Sequence, residues 1–266
     1  MAPRATAGPR NFTSPEGPLY QGCDSSQVAP DAEPDLRVVT FNIKYSIEVD
    51  KAIELLIDES QLRTADIVLL QEMDEAGVEK IGRALDMCWV YYPAVVHPRQ
   101  GRDFGNAILS RLPLTDPRKI ILPHLGGFGR TQRIATAASV EYEGELIRVY
   151  SVHVATQVEL GPPFRRDQVM RVIEDAAASK AARVIIGGDL NDGSLGHIVA
   201  DNGFTWLTRN IGKTCRLWSL DHVFVRGLTP LGKPGKIDEN RGASDHCPVW
   251  TLMSFSLSAQ PAATSN

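Results

Sequence analysis

From Leu36 onward, short runs of mostly apolar residues alternate with longer stretches in which apolar residues recur every three or four positions. The runs predict β-strands at Arg37–Ile43, Asp66–Glu72, Trp89–Val96, Asn106–Leu109, Arg133–Glu141, Leu146–Val154, Arg183–Gly188, Leu220–Val225 and Val249–Phe255. The longer stretches predict helices at Val49–Ile57, Ala76–Leu85 and Phe164–Ala178. Because several runs are apolar at nearly every position, both faces of their sheets must be covered, and helices are the usual cover. The alternation therefore predicts a single α/β domain.

The two ends of the chain differ in composition from this interior. Residues 1–35 are rich in Pro, Gly, Ser and Ala and lack the apolar segment of a signal peptide, so we expect a disordered tail there. We expect the same of residues 257–266, which leaves residues 36–256 as one domain. No apolar run approaches the ~20 residues of a membrane span. We therefore expect a cytoplasmic, monomeric protein without a transmembrane segment.

Charge and cysteine content narrow the classes of function. The net charge is −4 and the pI about 5.9, whereas proteins that grip nucleic acid non-specifically usually carry a basic excess. The four cysteines lie far apart with no CxxC pair. This spacing disfavours a zinc knuckle or a dense disulfide framework, and reduced thiols are the expectation for a cytosolic protein.

Polar residues that can carry chemistry recur where the predicted strands begin or end. In chain order they are Asn42, Glu72, His153, Asp189, Asn191, Asp221, Asp245 and His246. Taken singly, each has an ordinary explanation, such as a turn asparagine or a histidine satisfied within the core. Strand ends lie on the rims of a sheet, and antiparallel neighbours bring a strand start and a strand end to the same rim. Their joint recurrence at equivalent places predicts one shared site.

Two carboxylates in this set are suited to a metal ion. Glu72 and Asp245 offer the hard oxygen ligands that Mg²⁺ or Mn²⁺ prefers, and Asn42 can orient a carboxylate or add a ligand oxygen. The absence of a Cys or His cluster argues against zinc. A metal ion and nearby donors would neutralise the anionic oxygens that make a phosphate ester resist attack.

The remaining polar residues fit the phosphate side of such a reaction. Asn191 and His153 are hydrogen-bond donors for phosphate oxygens, and Asp189 can position an attacking water. His246 can either bind a phosphate oxygen or deprotonate water, with Asp221 fixing its tautomer.

Seven segments together resemble the ordered signature of the endonuclease/exonuclease/phosphatase superfamily. They are TFNIKYS, LLQEMD, FGNAILSR, YSVHVAT, IIGGDLND, LDHVFV and SDHCPVW, which span about Val38 to Trp250. The superfamily includes deoxyribonuclease I, exonuclease III-type repair enzymes, neutral sphingomyelinases and inositol polyphosphate 5-phosphatases. The resemblance implies a four-layer α/β sandwich, with two mixed β-sheets packed face to face and helices on the outer faces.

The resemblance also implies a Mg²⁺- or Mn²⁺-dependent phosphoesterase that uses direct in-line attack by water. Asn42, Glu72 and Asp245 match the metal-side residues of the family. Asp189 matches the Asp that aligns the nucleophile, and Asn191 the Asn that holds the phosphate. Asp221 matches the Asp that pairs with the terminal histidine, here His246.

Departures from the family pattern narrow the branch. The strand that carries His153 usually ends in a Tyr-x-Pro-Asn type segment in exonuclease III-type enzymes, and the loop His97–Asp103 lacks the tyrosine those enzymes place there. A histidine at 153 resembles deoxyribonuclease I, the phosphatases and the sphingomyelinases, where it can protonate the leaving oxygen. Asn106 and Arg133 lie where bacterial members carry similar residues and are carried over as substrate contacts, against the alternative of a strand-end Asn and a surface Arg.

Three functions remain open from the sequence. The first is hydrolysis of a phosphodiester or phosphomonoester in a small molecule or lipid head group. The second is a nuclease, disfavoured by net charge, with local basic residues at Gly129–Arg133 and Phe164–Arg166. The third is a non-enzymatic binding module on the same fold, disfavoured because the expected site residues are all present.

Overall fold

The structure, a computed structural model, describes residues 10–23, 35–98, 100–127, 130–142 and 144–254. Its helices are α1 (Val49–Asp58), α2 (Ser60–Arg63), α3 (Glu75–Leu85), α4 (Pro162–Ala178) and α5 (Leu195–Asp201), with a short 3-10 turn at Lys44–Ser46. Its strands are β1 (Arg10–Asn11), β2 (Tyr20–Gly22), β3 (Asp35–Asn42), β4 (Ile67–Met73), β5 (Cys88–Val96), β6 (Asp103–Ser110), β7 (Leu114–Ile121), β8 (Ile134–Tyr142), β9 (Glu145–His153), β10 (Arg183–Asp189), β11 (Thr205–Trp206), β12 (Asp221–Arg226), β13 (Thr229–Lys236) and β14 (Val249–Ser254).

These strands form two mixed sheets. Within the described residues, the first sheet has eight strands in the order β1-β5-β6-β4-β3-β14-β13, and β2 also pairs with β5. The second has six strands in the order β11-β12-β10-β9-β8-β7. The pairs β3–β4 and β9–β10 are parallel, and the other pairs are antiparallel.

The alternation of apolar residues along β3 shows how the layers are built. Leu36 and Val38 belong to a core between the two sheets, together with residues of the second sheet such as Val149 and Ile185. Val39 and Phe41 point the other way, because successive side chains of a strand alternate between its faces.

Helices cover both outer faces. Those on the first sheet contribute residues such as Leu55 and Ile81, and those on the second contribute residues such as Val172 and Val199. The layers are therefore helix, sheet, sheet and helix, and the predicted four-layer sandwich is confirmed.

The expected disordered tail is wrong for residues 10–23. There β1 and β2 extend the first sheet by pairing with β5, and Tyr20 packs with its ring centroid 6.0 Å from that of Tyr91. Strands β1 and β2 are too short to show a periodic pattern, and they are held by pairing with β5, which is distant in sequence. The Pro- and Gly-rich composition of this segment therefore did not indicate them. The rest of the tail that lies outside the described residues stays a prediction, as does the tail at 257–266.

The expectation of reduced thiols is also corrected. Cys23 and Cys88 form a disulfide that ties the end of the N-terminal segment to β5, whereas Cys215 and Cys247 are free. Single-sequence spacing could not reveal this pair, because 65 positions separate its members. No helix among the described residues is long and apolar enough to cross a lipid bilayer.

Candidate active site

Three strands of the second sheet place three site residues side by side. In the pairing register, Asp189 at the end of β10 lies opposite His153 at the end of parallel β9. It also lies opposite Asp221 at the start of antiparallel β12. All three side chains are buried, with at most 2 % of any one exposed. The rim predicted from strand ends is thus formed by cross-strand neighbours.

The two glycines before Asp189 let β10 take this position. A Cβ added to Gly188 would lie 2.0 Å from the carbonyl oxygen of Val152, and the residue has φ +145°. A Cβ on Gly187 would lie 2.6 Å from Leu69 of the opposite sheet. The IIGGD sequence therefore permits a close approach to β9 on one side and to the first sheet on the other.

The first sheet contributes Asn42 and Glu72 from the ends of parallel β3 and β4. Glu72 lies in an irregular step of the β4–β6 ladder and has φ +61°, a strained conformation for a residue with a side chain. Its Oε1 accepts a hydrogen bond from Asn42 Nδ2 at 3.1 Å, and its Oε2 accepts one from the Tyr45 backbone N–H at 3.2 Å. Asn42 Nδ2 also lies 3.0 Å from Asp189 Oδ2, so one amide joins the carboxylates of both sheets.

The segment before β14 places His246 against Asp221. Ser244 Oγ donates to the Asn42 carbonyl at 2.6 Å and accepts from the His246 backbone N–H at 3.1 Å. These bonds fix the segment on the end of β3. His246 Nδ1 then lies 2.8 Å from Asp221 Oδ2, and His246 Nε2 lies 3.8 Å from Asp189 Oδ2. The sequence paired these two residues, and the structure brings them into hydrogen-bonding contact.

The charges of the site are strongly coupled. Burial raises the pKa of Asp189 above its ordinary 3.8, and the nearby Asp221 and Glu72 carboxylates raise it further. Burial alone would lower the pKa of His246, but the carboxylates of Asp221 and Asp189 outweigh it and raise that pKa well above 6.5. His246 is therefore a cation at neutral pH. Of the two roles predicted for it, this favours binding a phosphate oxygen over accepting a proton from water.

His153 has the opposite charge state. Burial, followed by the positive charges of Arg133 and His246, lowers its pKa well below 6.5. Arg133 Nη1 lies 3.1 Å from Nδ1 and 3.0 Å from Nε2 of the imidazole, while Nη2 of the same guanidinium bonds to Glu159 Oε2 at 2.8 Å. His153 is thus a neutral hydrogen-bonding group at neutral pH.

Asn191 occupies a tight turn directly after β10. It has φ +53°, its backbone N–H donates to Asp189 Oδ1 at 2.8 Å, and its Nδ2 donates to the Val154 carbonyl at 2.9 Å. The DLND sequence uses Asn here because Asn tolerates left-handed backbone better than most residues. The side chain is held at the rim beside Asp189 and His153.

The residues predicted to hold the metal differ in how close they lie to the other possible ligands. Among the described residues, two groups of three ligand atoms lie within 4.8 Å of one another: Glu72–His153–Asp189 and Asp189–Asp221–His246. Asp245 belongs to neither group, although its charge raises the pKa of Glu72 and its Oδ2 lies 3.4 Å from Lys44 Nζ.

The chemistry of this donor set fits a hard divalent cation. Burial raises the pKa of Glu72 above 4.5 and that of Asp189 above 3.8, and repulsion from nearby carboxylates adds to each shift. A cation bound at Glu72 and Asp245 would relieve that repulsion, and oxygen ligands are those that Mg²⁺ and Mn²⁺ select. The amide of Asn42 presents its nitrogen to the carboxylates, while its Oδ1 accepts from the Lys44 N–H at 3.1 Å.

Asn106 does not lie where a substrate contact was predicted. Its side chain is 1 % exposed, and Nδ2 donates to the carbonyls of Ile134 at 2.9 Å and Ser151 at 3.2 Å. It links a strand of the first sheet to β9 of the second, so it supports the site from behind. Arg133, in contrast, lies directly at the site.

Sequence reasoning missed three neighbours of the site. Lys44 pairs with Asp245, Tyr45 binds Glu72 through its backbone, and Glu159 holds Arg133. Lys44 and Tyr45 both have positive φ, a conformation that no pattern in IKYS announces. Glu159 lies in the loop between β9 and α4, and nothing in a single sequence links it to Arg133.

The chain is similar to known proteins in sequence and in fold. A family model described as "Endonuclease/Exonuclease/phosphatase family" matches residues 39–246. No curated protein matches the sequence.

Solved structures share the fold at low sequence identity. An endonuclease/exonuclease/phosphatase from Beutenbergia cavernae is 18 % identical with a TM-score of 0.68, over 84 % of this chain and 72 % of that one. D. rerio TDP2, complexed with a single-strand DNA product, is 18 % identical with a TM-score of 0.65, over 84 % and 100 %. Sphingomyelinase C from Streptomyces griseocarneus is 17 % identical with a TM-score of 0.63, over 83 % and 99 %.

Proposed function

The chain belongs to the endonuclease/exonuclease/phosphatase family, and on that premise we propose that it is a Mg²⁺- or Mn²⁺-dependent phosphoesterase. We propose that it hydrolyses a phosphodiester or phosphomonoester of a small molecule or lipid head group by in-line attack of water. One observation on Asp189 is the main support for this proposal. Its carboxylate lies within 4 Å of Asn42, His153 and His246, which come from both sheets.

Glu72 and Asp245, with Asn42, would hold the metal ion. When bound there, the ion would polarise a phosphate oxygen and offset the negative charge that develops on it. Asn42 orients the Glu72 carboxylate by hydrogen bonding, and the Tyr45 backbone N–H fixes its second oxygen. Lys44, now paired with Asp245, is free to turn toward a phosphate when that carboxylate binds a cation.

Asp189 would orient and deprotonate the attacking water. Its Oδ1 is held by the Asn191 N–H, which leaves Oδ2 facing the two imidazoles. Burial, followed by the neighbouring carboxylates, raises the pKa of Asp189, and this strengthens it as a base once it is ionised. Asn191 has a second amide N–H available for a phosphate oxygen beyond its bond to Val154.

The cationic His246 would bind the phosphate and stabilise the transition state. Its charge is held by Asp221, and its Nε2 lies 3.8 Å from Asp189 Oδ2. Neutral His153 would donate a hydrogen bond to a phosphate or leaving oxygen, because its lowered pKa makes it a poor carrier of an extra proton at neutral pH. Arg133 adds a fixed positive charge next to His153.

A phosphoester panel tests the proposed function. Purified protein is assayed with Mg²⁺ and with Mn²⁺ against aryl phosphodiesters, aryl phosphomonoesters, phospholipid head-group esters and sugar phosphates, with Asp189→Asn as the inactive control. We expect hydrolysis of at least one class by the wild type and a loss of about 10³-fold or more in the variant. Hydrolysis of no class with either metal would rule the proposal out.

A nuclease is the second candidate, since one of the similar structures is described as complexed with a single-strand DNA product. The acidic net charge argues against it. Of the two local basic segments, Arg165 is buried and bonded to Asp192, so it offers no charge to a nucleic acid. Arg130 is exposed. Nicking of plasmid DNA that is lost on Arg130→Glu would support the nuclease, and absence of nicking by the wild type would end it.

The predicted monomeric state and cytoplasmic location stay proposals. Sedimentation velocity tests the first. The Cys23–Cys88 disulfide bears on the cytoplasmic location, because disulfides persist mainly in oxidising compartments. Thiol labelling of the protein in intact cells would show whether Cys23 and Cys88 are oxidised there.

A further inference from the structure

Large apolar side chains are exposed chiefly around the mouth of the active site. Those at the mouth are Ile47, Val158, Phe164, Leu217 and Trp218, and we refer to them as the apolar rim. Ile47 follows the end of β3, Val158 and Phe164 follow β9, and Leu217 and Trp218 precede β12. Of the other large apolar side chains exposed in the described residues, Leu146 lies at the far end of β9 and Ile57 on α1.

The most exposed pair of the rim lies on a tight turn that is part of the site. Cys215 and Trp218 exchange backbone hydrogen bonds at 3.0 and 2.8 Å, and Cys215 also forms a β-bridge with His246. Leu217 is 70 % exposed and Trp218 60 %. Because the turn's backbone is already paired, these side chains project outward from a fixed support.

The segment that carries this turn is basic. Between Phe204 and Leu220 it has Arg209, Lys213 and Arg216, all exposed, and no acidic residue, although the whole chain has a net charge of −4. Basic residues interleaved with Leu and Trp at a projecting turn are typical of proteins that bind anionic lipid surfaces. Trp in particular favours the level of the lipid head groups.

A recess beside the catalytic groups shares Val158 with the rim. It has a volume of about 480 Å³, and its lining combines apolar side chains such as Val95 and Phe104 with polar ones such as Glu72 and Arg133. A lipid whose apolar chains lie on the rim would place its polar phosphoester in this recess.

We propose that the apolar rim docks on an anionic lipid surface and that the substrate is the phosphoester of a lipid in that surface. A nucleic acid fits less well, since Ile47, Val158 and Leu217 can neither stack on bases nor bind phosphate. The docking stands on the rim alone, while the substrate class rests on the proposed phosphoesterase function.

Vesicle co-sedimentation of the full chain tests the docking without using activity. The probes are phosphatidylcholine vesicles with and without phosphatidylglycerol, at low and high salt. We expect binding that requires the anionic lipid and weakens with salt. Leu217→Ser combined with Trp218→Ser should weaken it about tenfold or more, because both apolar contacts with the lipid are lost. The control, Leu146→Ser, removes a leucine that is 52 % exposed at the far end of β9 and should bind as the wild type does.

Each outcome bears on one claim. The docking is overturned if wild-type protein binds neither type of vesicle. It is also overturned if Leu146→Ser loses as much vesicle binding as the variant with Leu217→Ser and Trp218→Ser. Thermal melting of each variant separates lost binding from lost folding. Trp218-dependent binding to single-stranded DNA instead of vesicles would assign the rim to nucleic acid and refute the proposal. Vesicle binding without hydrolysis of any phosphoester would support the docking and reject the proposed function. Hydrolysis of soluble esters without vesicle binding would support the proposed function and reject the docking.

Discussion

Asp221→Asn is the change that most sharply probes the electrostatics of the site. The Asp221 side chain is fully buried, its Oδ2 lies 2.8 Å from His246 Nδ1, and its Oδ1 has no hydrogen-bond partner among the described residues. Asparagine keeps the size and shape of the side chain and removes the charge. The substitution therefore tests the charge of His246 with little change in packing.

The geometry gives the size of the effect. Opposite charges at the separation seen here interact by about 6 kcal/mol when the effective dielectric constant is about 20. Losing that interaction lowers the pKa of His246. Asp189, at 3.8 Å, is then the remaining anion beside it, while burial continues to lower the pKa. With less of the cation at the phosphate, kcat/KM should fall by about 10²–10³-fold at neutral to alkaline pH.

The raised pKa of His246 decides in which direction pH changes the effect of Asp221→Asn. His246 has a raised pKa in the folded state, so its charge stabilises the fold fully below 6.5 and the stabilisation is lost as pH rises through the folded pKa. The difference in unfolding free energy between wild type and variant should therefore shrink as pH rises. The ratio of variant to wild-type kcat/KM should increase as pH falls, because acid restores the charge of His246 in the variant.

Two assays measure these effects. Imidazole NMR titration follows the charge of His246 directly, and kcat/KM against pH follows its consequence. Asp175→Asn is the control, since Asp175 accepts a hydrogen bond from Tyr150 on the outer face, away from the site. The reasoning is refuted if Asp221→Asn stays within about threefold of wild type in kcat/KM, or if its deficit grows toward acid pH.

Four further substitutions test other features of the structure. Glu159→Gln releases Arg133 and should lower kcat/KM about tenfold without unfolding the protein, as steady-state kinetics and circular dichroism will show. Gly188→Ala, which forces a Cβ onto β9, should lower the free energy of unfolding by about 2 kcal/mol or more and reduce activity. Gly203→Ala, at positive φ in open space, should cost about 1 kcal/mol and leave activity intact; equal urea midpoints would contradict this. Cys23→Ser should lower the free energy of unfolding by about 2–4 kcal/mol in oxidising buffer and not in reducing buffer.

The central strands were predictable because both of their faces are buried, one against a layer of helices and the other against the second sheet. Val38 and Val39 face opposite layers and are both buried, so the run RVVTFNI has no polar face and must lie inside a sandwich. The site residues were predictable from their positions, since polar residues such as Asp189 and Asp221 lie where such strands end or begin. The sequence therefore predicts that Asp189, Asp221 and His246 lie together.

Edge strands and long-range contacts were not predictable in this way. The strand Thr229–Lys236 contains two prolines and two glycines and has no buried residue, so its sequence resembles a loop. Leu114–Ile121 has a proline and little alternation for the same reason. The Arg133–Glu159 pair depends on how two loops meet, and local patterns carry no information about that.

Metal add-back to metal-free protein tests the central claim most directly. Protein stripped with a chelator is titrated with Mg²⁺ while hydrolysis of the best ester from the panel is followed, for wild type, Glu72→Gln and Asp189→Asn in parallel. The account predicts no turnover by stripped wild type, saturable recovery with Mg²⁺, a much weaker metal response in Glu72→Gln, and no recovery in Asp189→Asn at any metal concentration. Hydrolysis by stripped protein, or equal recovery in all three proteins, would contradict it.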